Sequence, residues 1–244
     1  MSPLPQPKSA RRLAGRAPRA SRRPRAERTL EICRAAKDAF ARLGYERATM
    51  ADIAAAAGIA EPTIYKMFAS KRELLYTVMA EWYASFTADL LAHLEQLDDP
   101  VQKLRYLIWH HLSIIEADPA LCRVFFREVR VLDDYRGSPV FELNREYTAY
   151  MTRVIEEGIE RGVFRAELPV TLVRDAVFGG LEHHAWQFLA RQKPLAPGSV
   201  ADSFCSLIVR GIARTADEEA IEQRLARLAD RLESALDRLE SSQS

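Results

Sequence analysis

Apolar residues return every three or four positions through almost the whole chain. Leu30, Cys33, Ala36, Phe40 and Leu43 form one such stripe, which predicts an amphipathic helix over 28–43 ended by Gly44. Thr49-x-x-Asp52 has the form of a capping box and opens a short second helix, 50–57, stopped at Gly58. A third helix is expected over 61–68, with Pro62 in its first turn, where a missing N–H is harmless. Ser70-x-x-Glu73 reads as a full capping box opening a long fourth helix, 71–97. Asp99-Pro100, Asp118-Pro119 and Ser138-Pro139 then open helices ending near 116, 132 and 161. Two more are expected over 169–191 and 199–212. No alternating Val/Ile/Thr run and no hairpin dipeptide supports a strand, so the fold class is all-α.

The last segment, 217–244, spaces Ile221, Leu225, Leu228, Leu232, Ala235 and Leu239 in a 4-3-4-3-4 rhythm amid Arg, Glu and Asp. An amphipathic helix is expected there, folded back on the body or added to a dimer as a coiled coil.

Charge changes the picture more than composition does. The 244 residues carry a net charge of +1, but residues 1–28 hold nine Lys/Arg against Glu27 alone, and residues 76–244 hold eight more acids than bases. A basic end on an acidic body points to a polyanionic partner for that end only. Five prolines and almost no large apolar side chains in residues 1–25 predict a disordered arm. It reads as a DNA-contacting arm adding affinity rather than specificity, as a solvated tail, or, against its prolines, as a transit peptide. Cys33, Cys122 and Cys205 form no CxxC pair and no disulfide framework, which with the lack of any apolar run near 20 residues predicts a cytoplasmic protein away from membranes.

Residues 50–68, MADIAAAAGIAEPTIYKMF, read as two helices around a Gly-containing turn. That is the helix-turn-helix unit, although a plain αα-hairpin shares its outline. Ala54 is small where the helices cross, and Ile53, Ile59 and Ile64 plug the crossing. The outer side of the second helix offers Ala60, Glu61, Pro62, Thr63, Tyr65 and Lys66 to a major groove.

The stretch 28–75 resembles the DNA-binding domain of tetracycline-repressor (TetR) family regulators. Phe40, Gly44-Tyr45, Thr49, Ile53-Ala54, Ala57-Gly58-Ile59, Thr63-Ile64-Tyr65, Phe68, Ser70-Lys71 and Glu73-Leu74 carry the resemblance. It implies double-stranded DNA as partner, with Thr49, Thr63, Tyr65, Lys66 and Lys71 on the phosphate backbone and Ala60, Glu61 and Pro62 at base edges. Glu61 departs from the family's common Ser, Lys or Arg, and Lys66 and Met67 replace frequent aromatics or His. Direct base readout therefore looks thin.

The resemblance also implies a domain plan. A basic arm over 1–25 precedes a DNA-binding domain over 26–75, an effector-binding and dimerisation domain over 76–216, and the terminal helix over 217–244. The segments 174–186 and 207–212 are similar to the family's last two helices, which pair across a homodimer. Gly179, Gly180, His183, Trp186, Leu207 and Ile208 become interface candidates, the adjacent glycines allowing close approach across a symmetry axis or marking a kink in the helix. The body looks most like the family's fatty-acid-metabolism branch, which implies a small hydrophobic effector, best an acyl-CoA. Trp82, Phe86, Trp109, Phe125, Phe126, Tyr147, Tyr150 and Phe178 could line its tunnel or serve as plain core, with Arg105, Arg123 and Arg127 as candidates for the CoA head.

No cofactor and no metal are expected: His110-His111 and His183-His184 are adjacent on helices and point about 100° apart. No GxGxxG, Walker loop, GxSxG or HExxH supports an enzyme. The expected function is a TetR-type repressor released from a palindromic operator by an apolar effector. The alternatives are the same fold answering a drug or other hydrophobic ligand, or an architectural DNA binder without an effector.

Overall fold

The computed structural model describes residues 25–190 and 193–215, and beyond them 220, 224, 225, 227–229 and 231. The basic arm over 1–24 lies outside the described residues, as does most of the terminal heptad segment. Of that seam, Leu225 and Leu228 are described and are largely exposed.

The order is α1 (Arg25–Leu43), α2 (Met50–Ala56), α3 (Glu61–Tyr65), α4 (Lys71–Leu94), α5 (Pro100–Ala117), α6 (Pro119–Val124), α7 (Pro139–Glu160), α8 (Val170–Leu189) and α9 (Pro197–Ile212). Among the described residues the only extended pairing is one antiparallel bridge, Phe164 with Ala213. The all-α reading stands.

Local chemistry sets most boundaries. Gly44 (φ +81°) and Gly58 (φ +65°) take the left-handed conformation after α1 and α2, where a Cβ would be strained. Thr49 and Asp52 close a reciprocal capping box. At α4 the box is displaced by one residue. Ser70 Oγ accepts the Glu73 N–H at 3.1 Å, but the Glu73 carboxylate takes the N–H of Ala69, not of Ser70. Asp99, Asp118 and Ser138 cap α5, α6 and α7, each followed by a proline in the first turn.

Two expectations give way. Leu30, placed on the buried stripe of α1, is exposed; Ile32, Cys33, Ala36 and Phe40 make the contact face instead. The single helix expected after Asp118 is broken. At Phe125 the ladder widens into a π-helical turn (Phe125–Val129), with the Arg130 N–H reaching the carbonyl of Phe125, and a 3-10 turn (Tyr135–Gly137) follows.

α1 to α3 and the start of α4 form the small N-terminal unit, in which Ile53, Ile64, Phe68 and Leu74 are buried together. α4 continues past the expected boundary at residue 75 and packs on α7 in the body. α5 is the body's central helix, flanked by α7, α8 and, most extensively, α9.

Candidate DNA-contacting helix and effector cavity

α3 is short and packs on α2, and its inner side is fixed by Ile64, which is fully buried. That anchor turns Ala60, Glu61, Pro62, Tyr65 and Lys66 to solvent, with Thr63 half-buried. Tyr65 is 49% exposed, high for an aromatic with no structural task. Thr49, the N-cap of α2, is exposed, and its hydroxyl donates to the Asp52 carboxylate at 2.6 Å. That bond and the Thr49 N–H hold Asp52 below the usual carboxylate range. Lys71 is more committed than expected. Its ammonium donates to the carbonyls of Tyr45 (2.7 Å) and Glu46 (3.1 Å) and sits 4.4 Å over the Tyr45 ring, which leaves one N–H for any outside acceptor.

The body encloses a cavity of about 580 Å³, within the size range of small-molecule sites. Trp82, Phe86, Phe125, Phe126, Tyr147 and Phe178 line it. Two expected wall residues do not. Trp109 lies on the outer side of α5, partly exposed against Tyr106, and Tyr150 is buried under the Arg153 guanidinium. Successive residues on a helix point about 100° apart, so Trp109, two positions before the wall residue His111, faces nearly the opposite way.

The wall also holds residues that aromatic counting missed: Tyr83, His111, Phe141, Asn144 and Thr148. Phe141, Asn144 and Thr148 recur at three and four positions along α7, a mixed apolar and polar stripe legible in the sequence. Asn144 Oδ1 accepts the Tyr83 hydroxyl at 3.0 Å. Burial pushes the Tyr83 and Tyr147 hydroxyls well above their ordinary values.

The basic groups at the cavity are Arg130, Arg145 and Arg174, not Arg105, Arg123 or Arg127. Arg105 pairs with Asp202, Arg123 donates to the Leu189 carbonyl, and Arg127 lies over the Trp186 ring. Arg130 and Arg145 are exposed, so they mark the solvent side of the cavity. Each lining arginine has an acid partner: Glu182 for Arg130 at 2.7 Å, Glu142 for Arg145, and Asp175 for Arg174 at 2.7 Å. Burial raises the Glu182 carboxyl, and Arg130 partly offsets it.

Three tethers join this body to the N-terminal unit. Glu128, on the π-helical turn, binds the backbone of Tyr45. Asp134 takes both Arg72 (2.9 Å) and the Tyr76 hydroxyl (3.1 Å) of α4. Asp118, the cap of α6, pairs with Lys37 of α1. The first two leave from the segment that follows Phe125 and Phe126 in the cavity wall.

On α8 and α9, Gly179, His183, Trp186 and Leu207 are exposed and Gly180 and Ile208 are half-buried, with Gly179 also bordering the cavity. Leu207 is 67% and Leu172 64% exposed. The glycine pair divides its work. A Cβ on Gly180 would come within 2.7 Å of the Phe204 ring, so α9 of the same chain explains that glycine without a symmetry axis. Gly179 has nothing within 4 Å of its Cβ position. Among the described residues no cluster of His, Cys, Asp or Glu could hold a metal ion, and no helix is long and apolar enough to cross a membrane.

Two family descriptions match the chain: "Bacterial regulatory proteins, tetR family" over 32–78 and "Tetracyclin repressor-like, C-terminal domain" over 97–212. The "Fatty acid metabolism regulator protein" of Bacillus subtilis is 25% identical over 183 residues, covering 75% of this chain and 94% of the relative. The "HTH-type transcriptional activator FasR" of Mycolicibacterium smegmatis is 30% identical over 193 residues, covering 79% and 76%. The crystal structure of the transcriptional regulator FadR from Bacillus subtilis in complex with stearoyl-CoA superposes with a TM-score of 0.69 at 26% identity, covering 75% of this chain and 98% of that one. With an outward-facing α3 on a helix-turn-helix head and a cavity in the helical body, the chain belongs to the tetR family of bacterial transcriptional regulators.

Proposed function

We propose that this regulator is a cytoplasmic, homodimeric repressor that leaves a palindromic operator when a fatty acyl-CoA occupies its cavity. The observation that carries the reading is the two-part cavity. Its interior is aromatic, suited to an acyl chain, and its exposed side carries Arg130 and Arg145, suited to the phosphates of CoA. A relative that binds stearoyl-CoA supports the same ligand class.

In this reading α3 enters the major groove. Thr49, Thr63, Tyr65, Lys66 and the remaining donor of Lys71 contact phosphates, and Ala60, Glu61 and Pro62 face base edges. A dimer through the exposed faces of α8 and α9 would set two copies of α3 about 34–36 Å apart, one turn of duplex. The acyl-CoA acts only through differential affinity: it must bind the arrangement with α3 out of register better than the one that grips DNA. Phe125 and Phe126 touch the cavity, and the next residues hold the head, so a displaced wall has a short route to α3.

A gel shift on the DNA upstream of the protein's own gene, with and without stearoyl-CoA, tests this. Release by the thioester, but not by free CoA, is the expected result. Tighter binding with the thioester would assign the activator role carried by the FasR relative. Indifference to acyl-CoA would remove the effector and return the drug-responsive or architectural alternatives.

A further inference from the structure

The ion pairs at the cavity are not alike. Glu142 and Asp175 pair within their own helices, with 57% and 60% of their side chains exposed. Glu182 of α8 is 29% exposed and reaches across to Arg130, just after the π-helical turn. One Arg130 nitrogen donates to both Glu182 oxygens, at 2.7 and 2.9 Å. The same guanidinium lies over the Phe125 and Phe126 rings at 5.9 and 5.8 Å. The Arg130 backbone N–H closes the turn whose Glu128 holds Tyr45.

A carboxylate this sheltered stays ionised because a cation is beside it. Burial pushes the Glu182 carboxyl up, and Arg130 draws it back. The other ionisable groups nearby offer no second cation. Tyr135 faces Glu182 with a buried hydroxyl that stays protonated. Arg127 lies over the Trp186 ring, and burial holds His111 neutral. His183 and His184 follow Glu182 on α8 but are exposed and point about 100° and 200° away from it. Arg145, Arg174 and Asp175 line the cavity with partners of their own. An anionic head drawn to Arg130 puts a second negative charge beside the cation that Glu182 depends on. Whether the head displaces Glu182 or shares the guanidinium, the ionised carboxylate loses support.

We infer that the phosphates of the effector and Glu182 compete for Arg130, and that Glu182 takes up a proton from solvent as the effector binds, so that this regulator answers acyl-CoA more readily as pH falls. This rests on the acyl-CoA reading above and deepens it. The complex holds a proton that the free protein lacks, so affinity rises with acidity.

The test is calorimetric titration of the full chain with stearoyl-CoA between about pH 7.5 and 6, in buffers of different ionisation enthalpy, on the wild type and on Glu182→Gln. The 3′-phosphate of CoA titrates in this range with either protein, so the difference between the two isolates Glu182. The wild type is expected to take up more protons than Glu182→Gln, and to gain about five- to tenfold more affinity from pH 7.5 to 6. Glu182→Gln leaves Arg130 without a charged rival and should bind about tenfold more tightly at pH 7.5. If that variant does not fold, Glu182→Met gives the same comparison. Equal proton uptake by wild type and variant overturns the inference and leaves the acyl-CoA reading intact. So does weaker binding by the variant at pH 7.5. Failure of stearoyl-CoA to bind the wild type overturns both.

Discussion

The carboxylate of Glu128 accepts the backbone N–H of Tyr45 at 2.7 Å. On the other side of the same residue, Lys71 binds the Tyr45 carbonyl, so the loop before α2 is held at both ends of one residue. Glu128 belongs to the π-helical turn that begins with Phe125 and Phe126 of the cavity wall. One hydrogen bond thus links the wall to the loop that positions the helix-turn-helix. Glu128→Ala should cost about 1.5–3 kcal/mol in urea unfolding, the range for a bond to a charged group. It should also shrink the ratio of DNA affinities measured without and with stearoyl-CoA. Glu128→Gln keeps an acceptor oxygen and should fall between. An undiminished ratio in Glu128→Ala would show that the head is moved by another route, with Asp134 the next tether to remove.

His110 and His111 make stability fall in mild acid. Burial depresses their pKa values to about 4 and about 3 in the folded chain, against an ordinary 6.5. The unfolded chain therefore binds protons that the folded chain refuses. Stability is complete above pH 6.5, declines as pH falls below it, and stops declining only beneath the folded values. Between pH 7.5 and 5 each group should remove about 2 kcal/mol. Urea midpoints of the wild type and of His110→Phe/His111→Phe at both pH values check this. Parallel losses in the two proteins would assign the acid sensitivity elsewhere.

What the sequence reveals here is what neighbours in the chain decide. The Thr49–Asp52 box, the Asp-Pro and Ser-Pro caps and the glycines after α1 and α2 act within four residues, so their spacing is their structure. Ile64 and Tyr65 point about 100° apart on α3, one inward and one to solvent, for the same reason. The π-helical turn is different: Leu121 to Val129 suits an ordinary helix, and the added residue sits where tertiary tethers from Glu128 and Arg130 take hold. The cavity was half legible. Aromatic content pointed to Trp82, Phe86 and Phe178, but Trp109 lies on the far side of its helix. The arginines could not be chosen from composition, because Arg105 and Arg123 are as basic as Arg130 and differ only in which acid or carbonyl they meet.

Lys66 and Tyr65 should separate charge from geometry on DNA. Lys66 is exposed, and its replacement by Ala should lower the slope of log affinity against log salt by about one, uniformly across operator variants. Tyr65→Phe removes only a hydroxyl. It should weaken binding about five- to tenfold with little change in slope, as loss of one phosphate hydrogen bond does. Fluorescence anisotropy across a salt series distinguishes the two. A slope unmoved by Lys66→Ala would take this lysine off the phosphate backbone.

Arg145 is the arginine to remove when testing the CoA end of the cavity. It is exposed, and its partner Glu142 lies three residues back on the same helix, a pairing that contributes little to stability. Arg145→Gln should therefore unfold like the wild type but bind stearoyl-CoA about tenfold more weakly, with binding of free stearate unchanged. Equal losses for both ligands would mean that the arginine shapes the cavity rather than meeting phosphates.

Gly179 and Gly180 are adjacent, yet they should respond to a methyl group in opposite ways. At Gly180 the new Cβ meets the Phe204 ring at 2.7 Å, so the ring must shift. Gly180→Ala should lower stability by about 1 kcal/mol without altering self-association. At Gly179 the methyl meets nothing within 4 Å of its own chain. Alanine there should stiffen the helix by about 0.5–1 kcal/mol in the isolated subunit. If two copies of α8 approach closely at Gly179, as the proposed dimer requires, that gain is reversed on association, and the dimer dissociation constant should rise about tenfold. Sedimentation equilibrium with urea unfolding at low concentration measures both quantities. A Gly179→Ala protein that is more stable and dimerises unchanged would move the seam away from this glycine, toward the exposed Leu172 and Leu207 of α8 and α9.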